Sequence, residues 1–194
     1  MLSGIEDNLT FLGGHAIEVA PRLLGCLLVR ELDGAHLVGR IVETEAYDQS
    51  DVASHSYRGE TKRTKVMFGQ AGHLYVYFTY GMHYCANVVV GPEGYGAAVL
   101  IRALEPIEGM KIMSRKRHGR HGTELTNGPA KFCQALGINK ALNGHDLTRP
   151  PLYLQAQEPL KTTDIIQTTR IGISRGQDLP WRFYIRDNSY VSVR

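Results

Sequence analysis

Residues 39–47, Gly-Arg-Ile-Val-Glu-Thr-Glu-Ala-Tyr, place two carboxylates near the end of a largely apolar segment. Residues 37–42 are apolar and β-branched enough to predict a strand. Side chains alternate across a strand, so one face carries Ile41, Glu43 and Glu45 and the other carries Val42, Thr44 and Ala46. A buried carboxylate is strongly unfavourable unless it is paired or hydrogen-bonded. The two glutamates are therefore either ion-pair partners in an ordinary sheet or part of a chemical site.

The neighbouring segments predict more strands of the same sheet. Residues 26–32 are apolar, and Asp33-Gly34 is a two-residue hairpin signal that leads into the glutamate strand. Residues 97–104 predict a buried strand in which Arg102 is the counter-charge for Glu43 or Glu45. A structural ion pair and a site arginine are both compatible with that position. Closing strands are predicted at 152–154, 169–174 and 182–193.

Three helices are predicted: a short one at 15–25, one at 105–117 with Pro106 in its first turn, and one from Pro129 to Gly137. Residues 115–121 form the most basic run of the chain and include Arg115 and Arg117. This run is either a solvated loop or a phosphate contact. Lys131 lies in the first turns of the third helix, whose free N–H groups can hold a phosphate.

A tyrosine-rich hairpin is predicted at residues 74–90. Most of its tyrosines are explained by strand propensity and packing. Tyr80 and Met82 flank the turn glycine, where large side chains are typically exposed, and exposed aromatic residues on a hairpin suggest recognition. Asn87 stands in an otherwise apolar strand and needs a partner, either in the core or in a ligand.

The segment after Tyr47 is polar, contains glycine and runs to residue 70, too long for a simple connection. His55 lies within it and is followed by a basic stretch. A single loop histidine is either solvated or functional, and functional residues concentrate in loops. The basic residues themselves favour a solvated surface over a binding patch.

Composition allows one domain of ordinary character. The chain has 194 residues, 43% hydrophobic and 21% charged, with a net charge of +3, which permits a polyanionic partner. Its three cysteines are far apart, as is typical of reduced core thiols rather than of disulfides or a zinc site. No membrane span or secretion signal is recognisable, so we expect a cytosolic protein.

Several blocks together resemble the alkyladenine (3-methyladenine) DNA glycosylases of the mammalian type. They comprise the 39–47 motif, Ala-Ser-His-Ser, Leu-Tyr-Val-Tyr-Phe-Thr-Tyr-Gly-Met, Ala-Val-Leu-Ile-Arg-Ala-Leu-Glu-Pro, Asn-Gly-Pro-Ala-Lys-Phe-Cys-Gln-Ala-Leu-Gly-Ile and Trp-Arg-Phe-Tyr-Ile-Arg. The blocks follow the family order along nearly the whole chain. The loop from Tyr47 to His55 is shorter than in the family, and Tyr57 is inserted, which bears on fine base selectivity.

The resemblance implies an α+β fold over residues 1–194: a single mixed domain with a curved antiparallel β-sheet flanked by helices and a protruding β-hairpin. It implies a monofunctional enzyme that hydrolyses the N-glycosidic bond of damaged purines in double-stranded DNA and starts base excision repair. The family uses no metal and no organic cofactor. A monomer in the bacterial cytosol and nucleoid, or in a eukaryotic nucleus, is expected.

The resemblance also assigns roles to individual residues. Glu45 matches the base that activates water, and Arg102 matches a partner of that water and of the DNA backbone. The walls around the flipped base correspond to Tyr47, His55 and Tyr77, and a filter against the guanine amine corresponds to Asn87. Tyr80 matches the wedge that enters the minor groove, Met82 matches its neighbour, and Glu43 is structural.

Two other functions compete with this one. Glu43 and Glu45 could be a carboxylate pair that hydrolyses a carbohydrate or binds a metal, since strand neighbours two apart are about 7 Å apart. Alternatively, the protein could be an inactive binder of distorted DNA that uses Tyr80 and residues 115–121. Neither alternative explains the full set of motifs.

Overall fold

Eight strands form one curved antiparallel sheet in the computed structural model, which describes residues 7–79 and 81–193. The strands are β1 (Leu27–Leu32), β2 (Ala35–Tyr47), β3 (Leu74–Thr79), β4 (His83–Val89), β5 (Ala98–Glu108), β6 (Leu152–Gln155), β7 (Ile165–Thr168) and β8 (Arg182–Ile185). Their order is β3-β4-β5-β2-β1-β6, and β8 pairs with both β2 and β7.

Three α-helices accompany the sheet: α1 (Ala16–Arg22), α2 (Met110–Lys116) and α3 (Pro129–Leu136). Short 3₁₀ helices lie at Asp7–Gly13, Lys65–Phe68, Gly122–Leu125, Lys140–Leu142 and Thr162–Asp164. The predicted α+β fold is confirmed, as are the Asp33-Gly34 turn between β1 and β2 and the helix that starts at Pro129 and is capped by left-handed Gly137.

Strand β2 is the centre of the fold because it pairs along its length with three strands. Its first half lies beside β1 and its second half beside β8, while β5 runs along the opposite edge. The main apolar core packs α1 and α3 against the sheet. A smaller cluster around Met67, Phe68 and Tyr75 supports the segment that follows β2.

The side chains of β2 were expected to alternate strictly between the two faces of the sheet, and this prediction is wrong at the centre of the strand. The β2–β5 register shifts on both sides of Glu43. A β-bulge changes which face the following side chains occupy. Ile41 consequently belongs to the same core cluster as Ala46, whereas Glu43 and Glu45 both reach Arg102.

Two predicted elements differ from the structure. Pro106 lies within β5, opposite Gly39 at a register shift, and not in the first turn of a helix, which begins only at Met110. Proline has no N–H to contribute to the ladder, so within a sheet it is confined to irregular positions of this kind, where that hydrogen bond is not required. The strand expected at 169–174 is also wrong: β7 ends at Thr168, and the residues after it form an irregular segment. The final strand spans only Arg182–Ile185.

Candidate active site

Arg102 joins the two glutamates of β2. Its Nε lies 3.2 Å from Glu43 Oε1 and its Nη1 lies 3.2 Å from Glu45 Oε1. Both carboxylates are fully buried. Burial alone would lower the pKa of Arg102, but the charges of Glu45 and Glu43 raise it, so the guanidinium stays charged. The ion pair predicted from the sequence therefore involves both glutamates at once.

Glu43 is enclosed by structural donors. Its carboxylate accepts hydrogen bonds from Arg102 Nε, Arg182 Nη1 (2.8 Å), Ser192 Oγ (3.0 Å) and the Ser192 backbone N–H (2.7 Å). A buried carboxylate with this many donors is satisfied within the fold. This arrangement fits the structural role expected for Glu43.

Glu45 has a different set of partners. Oε1 accepts from the Ile171 backbone N–H at 2.8 Å and pairs with Arg102, and Oε2 accepts from the Tyr47 hydroxyl at 2.9 Å. Burial raises the pKa of Tyr47, and the neighbouring Glu45 raises it further, so the phenol keeps the proton that it donates.

A cavity of about 760 Å³ lies next to this network, and neither Glu45 nor Glu43 is among the described residues that line it. All three partners of Glu45 line it, namely Tyr47, Arg102 and Ile171. Of the partners of Glu43, only Arg102 does so, since Arg182 and Ser192 lie outside the lining. The two glutamates are thus not an equivalent pair facing one substrate, which argues against the paired-carboxylate alternative.

The other predicted base-contacting residues line the same cavity. His55 meets Tyr77 edge to face, with ring centroids 4.7 Å apart and an interplanar angle of 83°. His55 Nδ1 lies 3.1 Å from the Tyr75 hydroxyl, and Arg63 Nη2 lies 3.4 Å from His55 Nε2. An arginine can only donate, so Nε2 accepts and the proton resides on Nδ1.

The charge state of His55 follows from these surroundings. The residue has an exposed side, but its ring packs against the tyrosines, and this desolvation lowers its pKa; the charge of Arg63 lowers it further, to about 4. His55 is therefore neutral at physiological pH. A neutral aromatic ring at this position suits stacking better than it suits charge pairing.

Asn87 lies in β4 opposite Tyr75, and it is almost fully buried. Its Nδ2 donates to the Tyr75 backbone carbonyl at 3.2 Å, which fixes the side chain at the cavity wall. The partner in the core that the sequence analysis required is thus present, and the same residue faces the space where a ligand would lie.

The segment that carries His55 is anchored by a close backbone approach at Gly96. Ser56 Oγ donates to the Gly96 carbonyl at 2.6 Å, and the Gly96 N–H donates to Gln49 Oε1 at 2.8 Å. A Cβ at Gly96 would lie 2.6 Å from Ser56 Cβ and 2.6 Å from Phe68 Cζ. Only glycine allows the segment to pack this closely, so the position of His55 depends on that contact.

The hairpin of β3 and β4 presents apolar side chains at its end. Met82 is 70% exposed and Phe78 is 50% exposed. Tyr80, the predicted wedge, lies outside the described residues. The exposure of Met82 agrees with the recognition surface expected there.

The predicted cations of the helices are not part of the cavity lining. Lys131 Nζ binds Glu124 (2.9 Å) and Asn127 (2.8 Å), and Arg117 binds Gln134 and the Glu124 carbonyl, whereas Arg115 is exposed. Besides the buried Arg102, the described cations that line the cavity are Arg58, Arg63 and Arg175, all exposed. The sequence analysis assigned the first two to a solvated surface.

Sequence reasoning also missed Ile171, because residues 169–174 were predicted to be a strand. In the structure this stretch is irregular, and residues 171–175 line the cavity. A backbone N–H that binds a carboxylate leaves no side-chain signature. Only the Ile-Gly-Ile pattern, with a glycine between apolar residues, hinted at an irregular backbone.

Two features of the described residues bear on other classes of function. Across 7–79 and 81–193, no group of three or more His, Cys, Asp and Glu side chains is placed to hold a metal ion. The α-helices in this part of the chain are seven or eight residues long, and none could cross a membrane.

Comparison with known proteins identifies the family. Residues 10–189 match the methylpurine-DNA glycosylase family. Three similar proteins each bear the name "Putative 3-methyladenine DNA glycosylase". The relative in Carboxydothermus hydrogenoformans is 57% identical, over 95% of this chain and 97% of its own length. The relative in Methanoculleus marisnigri is 52% identical, over 92% and 94%. The relative in Desulfitobacterium hafniense is 46% identical, over 95% and 97%.

These relatives are bacterial and archaeal, so the mammalian type suggested by the motifs is not confirmed by them. The enzyme class predicted from the motifs is confirmed. The chain belongs to the methylpurine-DNA glycosylase family.

Proposed function

We propose that this protein is a monofunctional DNA glycosylase of the alkyladenine type that flips damaged purines out of duplex DNA and hydrolyses their N-glycosidic bond with a water activated by Glu45. Its substrates are 3-methyladenine, 7-methylguanine, hypoxanthine and ethenoadenine, and its product starts base excision repair. The observation that carries the proposal is the buried Glu45 carboxylate, whose three partners all line one aromatic cavity.

Base flipping is supported by the size and composition of the cavity. A base inside a duplex shields its own glycosidic bond, so the nucleotide must leave the stack. The cavity of about 760 Å³ has room for a nucleotide, and Tyr47, His55 and Tyr77 offer aromatic surfaces. Stacking on such surfaces contributes about 1–3 kcal/mol per base. Flipping a damaged base costs a few kcal/mol, so stacking of this strength offsets much of the cost.

The chemistry is supported by the contacts of Glu45. A carboxylate has about four acceptor sites, and the described contacts use two on Oε1 and one on Oε2. The remaining site on Oε2 can accept a hydrogen bond from the attacking water. As the glycosidic bond breaks, the sugar gains positive charge, which the Glu45 carboxylate stabilises. Arg102 pairs with the same carboxylate through its Nη1.

Exclusion by Asn87 disfavours unmodified guanine. The amide of Asn87 is tied to the Tyr75 backbone and cannot rotate aside. A guanine placed against this wall would press its exocyclic amine on the amide, whereas adenine-derived lesions have no group there. 7-Methylguanine carries the same amine, and the positive charge of its ring, which favours stacking on tyrosine and departure of the base, compensates for the clash. A site that rejects a competitor by a clash gains specificity without any new attraction.

DNA binding uses two surfaces in this proposal. Tyr80 and Met82 fill the gap left by the flipped base from the minor-groove side, as apolar wedges do. Arg58, Arg63 and Arg175 surround the cavity and contact the phosphates beside the flipped nucleotide. Arg115, Arg117 and Lys131 contribute phosphate contacts farther away.

The product is an abasic site in an intact strand. Strand cleavage by a glycosylase needs an amine nucleophile at the sugar, and no lysine lies among the described residues that line the cavity. The enzyme acts as a monomer where DNA is found, in the bacterial cytosol and nucleoid or in a nucleus.

The decisive experiment is single-turnover base release from duplexes with one hypoxanthine or ethenoadenine, in the presence of a chelator. The wild type is compared with Glu45→Gln, which keeps the shape of the side chain and removes its charge. We expect the variant to bind the lesion duplex with near wild-type affinity and to release the base at least about a hundredfold more slowly.

Equal rates for the two proteins would show that Glu45 is not the base. Tight lesion binding with no release by the wild type on these lesions or on 3-methyladenine would instead identify an inactive DNA-shape binder.

A further inference from the structure

The reaction proposed above leaves one buried cation beside the cavity without a role. The side chain of Arg170 has no exposed surface, and its guanidinium lies between two aromatic rings. Its Cζ is 4.7 Å from the centroid of Tyr47 and 5.1 Å from that of Trp181. Stacked contacts of this kind are favourable and depend on the planar shape of the guanidinium.

Arg170 connects the segments that form the cavity walls. Its Nη1 donates to the Ala46 carbonyl at 3.0 Å, next to Tyr47 in β2, and to the Asp51 carboxylate. Asp51 Oδ1 in turn accepts from the Ala53 N–H at 3.0 Å, within the segment that carries His55. Nη2 lies 3.4 Å from the Gly176 carbonyl, just after the residues 171–175 that line the cavity.

Arg170 is also the residue immediately before Ile171. Its carbonyl and the Ile171 N–H belong to one planar peptide unit, so they rotate together. That N–H donates to Glu45 Oε1 at 2.8 Å. Fixing the Arg170 side chain therefore fixes a donor to the candidate catalytic carboxylate as well as the back face of Tyr47.

We propose that Arg170 is a positioning residue of the active site, which acts through the Tyr47 ring and the Ile171 N–H on the geometry of base release. This inference rests on the proposed function. Misplacement of a reacting group by about 1 Å can lower a rate about a hundredfold. The Arg170 guanidinium is held by its ion pair with Asp51 and by its contacts with the rings of Tyr47 and Trp181.

The test is Arg170→Lys, which preserves the charge beside Asp51 but loses the planar stack. We expect the single-turnover release of hypoxanthine at saturating enzyme to fall about 10- to 100-fold. Affinity for the lesion duplex should stay within about threefold, because the residue contacts no DNA. Arg149→Lys is the matched control, since Arg149 also pairs with an aspartate but its side chain is 69% exposed.

Two further variants separate positioning from simple loss of stability. Trp181→Leu keeps the Arg170–Asp51 pair and removes one ring, and it should slow release by a smaller factor. In a Tyr47→Leu background, Arg170→Lys should lower the rate by a smaller factor than in the wild type, because the effect through the Tyr47 ring is lost and only that through the Ile171 N–H remains. Melting temperatures confirm that each variant is folded at the assay temperature.

Failure of the inference and failure of the proposed function give different results. A wild type that releases no base overturns the proposed function and the inference with it. If the wild type is active and Arg170→Lys releases base within about twofold of its rate, the inference alone is overturned. It is also overturned if Arg170→Lys lowers the rate by the same factor in the Tyr47→Leu background as in the wild type.

Discussion

Arg182 Nη1 donates to Glu43 Oε1 at 2.8 Å, so the strand β8 holds the first of the two buried glutamates of β2. The same arginine donates to the backbone carbonyls of Thr169 (3.0 Å) and Val193 (2.8 Å). The two neighbouring glutamates of β2 therefore have different partners: Glu43 ties the closing segments of the chain to the sheet, whereas the partners of Glu45 line the cavity.

We predict that Glu43→Gln mainly lowers stability. The substitution leaves Arg102 and Arg182 with buried charges that are only partly compensated, which destabilises a protein by about 3–5 kcal/mol. Denaturant unfolding gives the free energy directly. The control is Glu105→Gln, whose half-exposed pair with Arg40 should contribute less than about 1 kcal/mol. Equal losses in the two variants would mean that Glu43 is no more structural than a surface acid.

We predict that Asn87→Ser relaxes selectivity. Shortening the side chain makes room for the exocyclic amine of guanine, so release of guanine from undamaged duplex should rise about tenfold or more relative to release of hypoxanthine. The control is Asn143→Ser, since Asn143 Oδ1 accepts from the Val76 N–H at 2.9 Å and serves only the fold. If the ratio of guanine release to hypoxanthine release is unchanged in Asn87→Ser, Asn87 does not select against guanine.

We predict that His55 titrates far below a free histidine. With a folded-state pKa of about 4, against about 6.5 when unfolded, the unfolded chain binds more protons between these values. The contribution of His55 to stability is thus complete above about pH 6.5 and is lost as the pH falls toward 4. NMR of the ring protons measures the midpoint. Arg63→Gln should raise it, because a like charge is removed, and Arg149→Gln should not.

We predict that the arginines at the cavity contribute to DNA affinity through phosphates. Each lost phosphate contact reduces the slope of log K against log salt by about 0.9. Arg58→Gln and Arg175→Gln should each do so on lesion and undamaged duplexes alike, whereas Arg149→Gln should leave the slope unchanged. A wild-type slope in both the Arg58 and the Arg175 variants would show that these arginines are solvated and contact no phosphate.

Much of the site was predictable from residues close in sequence. The 39–47 motif predicted a strand with two buried acids, and Arg102 was recognised as a counter-charge because it stands in another apolar strand. Asp33-Gly34 correctly predicted the turn between β1 and β2, and Pro129 and Gly137 correctly predicted the ends of α3. These features depend on neighbours along the chain, which a sequence displays directly.

The missed features depend on contacts between distant segments. Pro106 fits the first turn of a helix as well as it fits an irregular strand, and only pairing with β2 decides between them. Residues 169–174 have the composition of a strand but serve as a cavity wall, because Arg170 is drawn to Asp51, more than a hundred residues earlier. The bulge at Glu43 likewise becomes visible only when the register with β5 is known.

The central position of β2 has a consequence for how the enzyme can move. Glu45 lies in a strand with hydrogen-bonded neighbours on both edges, β5 at Leu100 and β8 at Arg182. Backbone amides in such a strand exchange with solvent only through opening that approaches global unfolding. The hairpin end with Met82 has partners on one side only. In the mechanism that we propose, motion during lesion search is confined to the periphery, and the Glu45 carboxylate stays in place while successive bases enter the cavity.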